Sequence, residues 1–499
     1  MASRVLPPSP NLGHLKRQAK DLVKAGEARK LSEAQLAIAR QYGFSNWTKL
    51  KLMVDAAGDI AKAVDTFLFA VDLGDVNMAR EALRARPEIP EAGLSAAAVL
   101  GESAIVERFL EADPNLAKLK VGEPKKREPL HWLCYSPFCA KRGADILRCA
   151  KSLLAAGADP DAHTVEHEGE HEYPLGALYA AACHAKFPKL VKLLLEAGAD
   201  PNDGETIFHA AEADDRVVLK MALEHGADLD FNKSWGNTAI YFNLGHKEGS
   251  RFVDASTRGI RWLLEHGADP DVPSTPARET ALQLAARSRG PETVKLLLKH
   301  GADVTLKRKD GRTAWALAMR AGRLDNARLL EAHGAKTEPL SDGDALLAAC
   351  GRGDVDVAGH LSSALATLGP DDLRLFPDAA SDGRLETVKA CLAAGFPLDI
   401  QGDFTGTALQ HAAMQGYLDI VCVILKHKPD LTKRDPTFDG DALGWALHGA
   451  DNIRRPGADY AGVVKALFDA GLKPRRTDCT STDPRVMEVL KRRARTKEH

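Results

Sequence analysis

The chain has 499 residues with 67 basic and 69 acidic side chains, so its bulk charge argues against a nucleic-acid partner and provides no acidic tail. Hydrophobic residues make up 44% but aromatics only 6%, a balance that suits short helices packed closely together. The eight cysteines show no CxxC and no regular spacing, so they read as reduced thiols, and no apolar run reaches the length of a membrane span. A cytoplasmic protein with no membrane partner is the expectation.

In chain order, residues 1–10 are rich in Pro and Ser. Residues 1–57 form a distinct helical leader or cap. Leu12, Leu15, Ala19, Leu22 and Val23 make one apolar helical stripe. Ser32 with Gln35 predicts a capping box for a second helix, and Ser45 predicts the cap of a third.

From residue 58 to 474 a single pattern recurs, clearest between Glu279 and Gly334. Thr280 and Thr313, 33 residues apart, each open a short alanine-rich helix, followed by a second helix with a leucine pair (Leu297 and Leu298; Leu329 and Leu330) and a closing His-Gly-Ala. A fixed period near 33 marks a stacked repeat, in which each unit packs only on its neighbours. The threonines predict helix N-caps, and the closing glycines predict left-handed turns. About twelve such units are expected. Residues 475–499 read as a polar-faced terminal helix and basic tail that close the stack.

The segments GRTAWALA at 311–318, ETIFHAA at 205–211, EPLHWL at 128–133, GTALQHAA at 406–413 and VKLLLEAGAD at 191–200 resemble the ankyrin repeat. The leader KRQAKDLVKA…LAIARQYGFSNWTKLK is similar to that of many bacterial ankyrin-repeat proteins. The resemblance implies an all-α ankyrin-repeat solenoid of about twelve helix-turn-helix units with hairpin fingers and helical caps. It also implies that His131 and His209 tie hairpin backbone to helix, and that partners bind on a concave face made of fingers and first helices.

Departures from the period point to function, since insertions in repeat arrays gather on one face. Three units carry extra residues between their helices, expected as loops at 135–145, 245–256 and 449–459. One finger is also long and contains His163, His167 and His171, each four residues apart and interleaved with glutamates. On a helix those imidazoles would share a face and could hold a zinc-like ion. That segment motivates an alternative reading as a metal- or small-molecule-binding protein or atypical enzyme.

The main expectation is a non-enzymatic interaction scaffold without cofactors, monomeric, that binds a protein or peptide. Arg308, Lys309 and Arg312 fall on one finger, with Arg287, Arg289 and Arg320 beside the alanine pairs of adjacent first helices. This cluster predicts an acidic partner, because guanidinium groups recognise carboxylates and phosphates bidentately. Trp235 and Phe404, next to turn glycines, are the expected aromatic contacts. No Ser-His-Asp, Cys-His or phosphate-loop constellation supports catalysis.

Overall fold

A computed structural model describes residues 4, 6–7, 10–28, 30–168, 171–245, 253–473 and 479–495. The chain divides into two compact units, Met1–Pro276 and Ala277–His499, a division inside the repeat region that the period does not announce. Both are built from antiparallel helical pairs, six in each among the described residues.

The first unit opens with helices Leu12–Lys24, Leu31–Gln41 and Trp47–Ala57. The second begins one residue before Ser32, so the expected capping box does not form there, and Lys30 occupies the cap position. Asn46, not Ser45, caps the third through its bond from the Lys49 amide. This third helix packs on Ile60–Asp72, the first helix of the repeats, and Lys49 pairs with Asp75 at 2.6 Å.

The pairs of the first unit are Ile60–Asp72 with Val76–Ala85, Leu94–Leu100 with Ser103–Ala112, and Pro129–Cys134 with Cys139–Ala155. Ala177–Tyr179 follows, continues as a π-helical turn Ala180–His184 and pairs with Pro188–Glu196; then come Thr206–Glu212 with Arg216–Glu224, and Ala239–Leu244 with Val253–Glu265. The insertion expected as a loop at 135–145 is largely helical: Cys139–Ala155 is lengthened at its start and kinked at Arg142. A β-carbon at Gly143 would stand 2.8 Å from the Phe187 ring, leaving no room there for a side chain. Much of the second insertion, residues 246–252, lies outside the described residues.

The second unit pairs Ala281–Ser288 with Pro291–Lys299, Ala314–Arg320 with Leu324–Ala332, and Asp342–Arg352 with Val355–His360. It continues with Leu375–Asp382 and Leu385–Ala393, Ala408–Gln415 and Leu418–Leu425, then Ala442–His448 and Tyr460–Asp469, before the terminal helix Pro484–Arg495.

Successive first helices pack on one another through their alanines. Ala285, Ala286, Ala412 and Ala413 are all fully buried, as only a methyl-sized side chain allows at that spacing. Of each leucine pair one member, Leu297 or Leu330, is fully buried, and each such side chain contributes about 1.5–3 kcal/mol of burial. Thr280 and Thr313 cap their helices as expected, and Thr280 forms a full capping box with Gln283. Gly301 and Gly334 close the pairs at φ +89° and +90°, where a side chain would be strained.

The long finger is a β-hairpin, not a helix: strand β1 (His163–Glu168) pairs antiparallel with β2 (His171–Gly176). Among the described residues no helix is long and apolar enough to cross a membrane.

Candidate partner-binding surface

The finger between Lys299 and Thr313 is fixed by a backbone bridge from Lys307 to Thr313, with a left-handed turn at Gly311. Asp310 accepts the Arg312 amide across that turn. The turn sets Arg308 and Arg312 on the same side as Arg287 and Arg320, which end two first helices 33 residues apart. Cations at a helix C-terminus also complement its dipole.

These four arginines do not form an unbalanced positive patch. Arg287 grips Glu279 through Nε and Nη2 at 2.9 and 3.0 Å, and Arg308 donates to the same carboxylate at 2.8 Å. Arg308 and Arg312 share Asp310 at 3.1 and 2.8 Å. Arg312 and Arg320 share Asp344 at 3.0 and 2.9 Å, and Arg320 ends the chain on Asp372. Four guanidiniums therefore alternate with four carboxylates, and the four arginines with Asp310 and Asp372 line a cleft of about 480 Å³.

Burial alone would raise the Asp310 pKa, but the Arg312 amide and the two guanidiniums outweigh it and hold the carboxyl below the usual range. Burial likewise opposes the charge of Arg312, and the bonds to Asp344 and Asp310 reverse that effect and raise its pKa. The network keeps its charges and stays close to neutral overall.

The other expected contacts fall differently. Arg289 is only 2% exposed, so its side chain does not face the cleft; its carbonyl instead accepts from Asn326 at 2.8 Å and anchors the next pair of helices. Lys309 is exposed, and among the described residues no acid pairs with it. Lys307 reaches Glu338 at 3.3 Å. In the first unit, Trp235 is half-buried, donates to Glu205 at 2.7 Å and packs on the Tyr173 ring at 4.6 Å, so it is held in place by its own chain.

Phe404 is 62% exposed, and Phe438 on the following finger is 66% exposed, with ring centroids 6.1 Å apart. The two fingers are joined by Thr405 and Thr437 hydroxyls at 2.9 Å. Asp435, almost fully buried, holds the second finger by accepting from the amides of Phe438 and Gly440 and from the Trp445 indole at 2.7 Å. Phe404 and Phe438 are 34 residues apart, close to one period, and that spacing is the sequence signal for the pair.

Neither of the histidines expected to tie hairpin backbone to helix makes such a bond to hairpin backbone among the described residues. His209 pairs with the side chains of Glu205, the residue before its helix, and of Glu212 within it. His131 is 1% exposed and makes no side-chain hydrogen bond to the described residues; burial, reinforced by the Arg127 charge, holds its pKa well below the ordinary value.

His163 and His167 share one side of β1, about 13 Å apart at ~3.3 Å per residue, too far to hold one ion together. His167 lies 3.5 Å from Glu172 across the hairpin, while the side chain of His171 lies outside the described residues. Among the described residues no group of three or more His, Cys, Asp or Glu could hold a metal. The helical spacing that suggested zinc does not survive in a strand, where four residues span twice the rise they do in a helix.

Residues 178–271 and 252–341 match the family model described as Ankyrin repeats (3 copies), and residues 376–425 match Ankyrin repeats (many copies). The mouse protein "Ankyrin repeat and SOCS box protein 16" is 28% identical over 35% of this chain and 45% of its own length. The human "SH3 and multiple ankyrin repeat domains protein 2" is 26% identical over 36% of this chain and 11% of its own length. The mouse "B-cell lymphoma 3 protein homolog" is 30% identical over 30% of this chain and 33% of its own length. This chain thus aligns with less than half of each of these relatives. Among solved structures, the human ASB11 ankyrin repeat domain is 23% identical, with a TM-score of 0.35 over 50% of this chain and 99% of that one.

Proposed function

This chain carries ankyrin repeats, and from that premise we propose that it is a non-enzymatic interaction scaffold that binds a protein or peptide partner along the fingers of its second unit. The observation that carries this reading is the Phe404–Phe438 pair: two large aromatics, both more than half exposed, on adjacent fingers joined by Thr405 and Thr437, the second held by Asp435. Isolated exposed apolar residues are ordinary, but paired aromatics on a rigid support make effective anchors, because they bury much area for little lost entropy.

The arginine network plays the accompanying role. Its carboxylates already pair with its guanidiniums and leave it close to neutral, so an acidic partner gains there by exchanging with Asp310 or Asp372 rather than by bulk attraction. Lys309 on the same finger is the cation most available to such a partner.

Affinity capture from the native host with the full chain tests this reading. Replacing both Phe404 and Phe438 by Ser is expected to lose the captured protein, and Arg308→Glu with Arg312→Glu to weaken capture and reduce its salt dependence. Capture that is unchanged in both double variants would refute the assignment.

A further inference from the structure

The far end of the second unit holds a second cleft, of about 480 Å³, lined by Arg454, Arg455, Tyr460, Thr482, Asp483 and Arg485 among others. It is made by the third insertion. The helix Ala442–His448 runs into a π-helical turn, Gly449–Ile453, which ends at Arg454 in the left-handed region with φ +51°. Such turns accommodate inserted residues and recur at functional sites. Gly449 is required there: a β-carbon would stand 2.0 Å from the Met414 carbonyl oxygen.

Asp451, on the turn, draws the C-terminal segment alongside. Its carboxylate accepts from the Ser481 hydroxyl at 2.7 Å, the Thr482 amide at 2.7 Å and the Thr482 hydroxyl at 2.9 Å. Asp483 is occupied in turn by the amides of Arg485 and Val486, which it caps.

The arginines of this cleft are held quite unlike those of the finger network. Arg455 donates Nε to the Gln415 carbonyl at 2.9 Å, and its guanidinium stacks 4.0 Å over the Tyr417 ring. Arg454 donates Nε to the Asp451 carbonyl at 2.9 Å and Nη2 to the Thr482 hydroxyl at 3.2 Å. Both are thus hydrogen-bonded to neutral groups; the Asp451 carboxylate acts on Arg454 through space and across the Thr482 hydroxyl, and among the described residues neither arginine has a carboxylate within ion-pair distance. Arg485 stands 3.6 Å from Asp483 and is otherwise exposed. Three guanidiniums face the Asp483 carboxylate and, behind Thr482, the Asp451 carboxylate. Burial alone would raise the Asp451 pKa, but its bonds from Ser481 and Thr482 and the Arg454 charge lower it. The cleft thus keeps a surplus of one positive charge, carried on planar donors.

We propose that this cleft binds a phosphate monoester. A phosphate monoester carries three acceptor oxygens, enough to take bonds from more than one planar guanidinium at once, whereas a carboxylate's two oxygens are used up by one. The volume exceeds what a bare phosphate needs, so the phosphate is carried on a larger group, either a phosphorylated side chain of a protein or a small phosphorylated molecule. The site is separate from the finger surface and stands whether or not that surface binds a partner.

Calorimetric titration of the full chain at fixed ionic strength tests this, using inorganic phosphate, O-phosphoserine, serine, and a phosphoserine peptide with its unphosphorylated counterpart. Binding is expected for the phosphorylated probes alone, weakened at least ~10-fold by Arg454→Gln or Arg455→Gln, since a charge-assisted bond contributes about that factor. Arg485→Gln, at a largely exposed side chain that supports nothing else, is expected to weaken binding several-fold without altering the melting temperature. A phosphopeptide that binds ~10-fold tighter than O-phosphoserine identifies a protein source, and equal affinities identify a small molecule. No phosphate-dependent binding up to ~10 mM, or the same affinity in Arg485→Gln and a folded Arg455→Gln variant as in the original chain, would overturn the proposal.

Discussion

Asp435→Ala gives a quantitative check on how the second unit presents its aromatic pair. The carboxylate is 1% exposed and accepts three neutral N–H donors: the amides of Phe438 and Gly440 and the Trp445 indole. Leaving a buried donor without its acceptor costs about 1–3 kcal/mol each, and relaxation of the turn recovers part of the total, so a loss of about 3–5 kcal/mol is expected. For a folding unit of this size that lowers the melting temperature by about 6–15 °C.

Asp435→Asn keeps one oxygen as acceptor for two of the donors, and about half of that loss is expected. Burial alone would raise the Asp435 pKa, but its three donors outweigh it and hold the value below 3.8. The stabilisation is therefore fully present above that value and is lost as pH falls through the folded pKa. Thermal unfolding followed by circular dichroism and by tryptophan fluorescence, at pH 7 and near pH 3, measures both effects. An Asp435→Ala melting temperature within about 2 °C of the original at pH 7 would refute the reasoning, as would a difference that does not shrink in acid.

Further expectations follow from other contacts. Gly259→Ala places a β-carbon 1.9 Å from the Ala211 carbonyl oxygen, so denaturant titration should show a loss of about 2–4 kcal/mol as Val253–Glu265 is pushed off Thr206–Glu212. Arg127 is 1% exposed, pairs with Asp72 at 2.7 Å and lies between the Trp132 and Tyr135 rings; Arg127→Ala should cost about 3–5 kcal/mol by the same measurement, because it leaves a half-buried carboxylate and a cavity. Burial alone would lower the His209 pKa, yet Glu205 and Glu212 raise it above 6.5, so its stabilisation is complete below pH 6.5 and lost as pH rises through the folded value. The difference in melting temperature between the original chain and His209→Asn should therefore be larger at pH 5.5 than at pH 8.5.

The sequence by itself determined the helical pairs and their approximate number. Each of those rests on contacts within about one period: a threonine that caps the helix it precedes, a glycine free to turn left-handed at Gly301 or Gly334, an alanine small enough for its neighbour. It also marked the residues of the finger network. What it left open was their charge state as a group, because Glu279, Asp344 and Asp372 reach Arg308, Arg312 and Arg320 from as far as 52 residues away. Only the tertiary structure pairs them. The same holds for the long finger, where spacing of four suits a helical face, yet pairing with a second strand decides the period, and for Arg289, whose burial depends on the next pair of helices. Local chemistry repeats along the chain and is legible there; which side chains remain available to a partner is decided where distant turns meet.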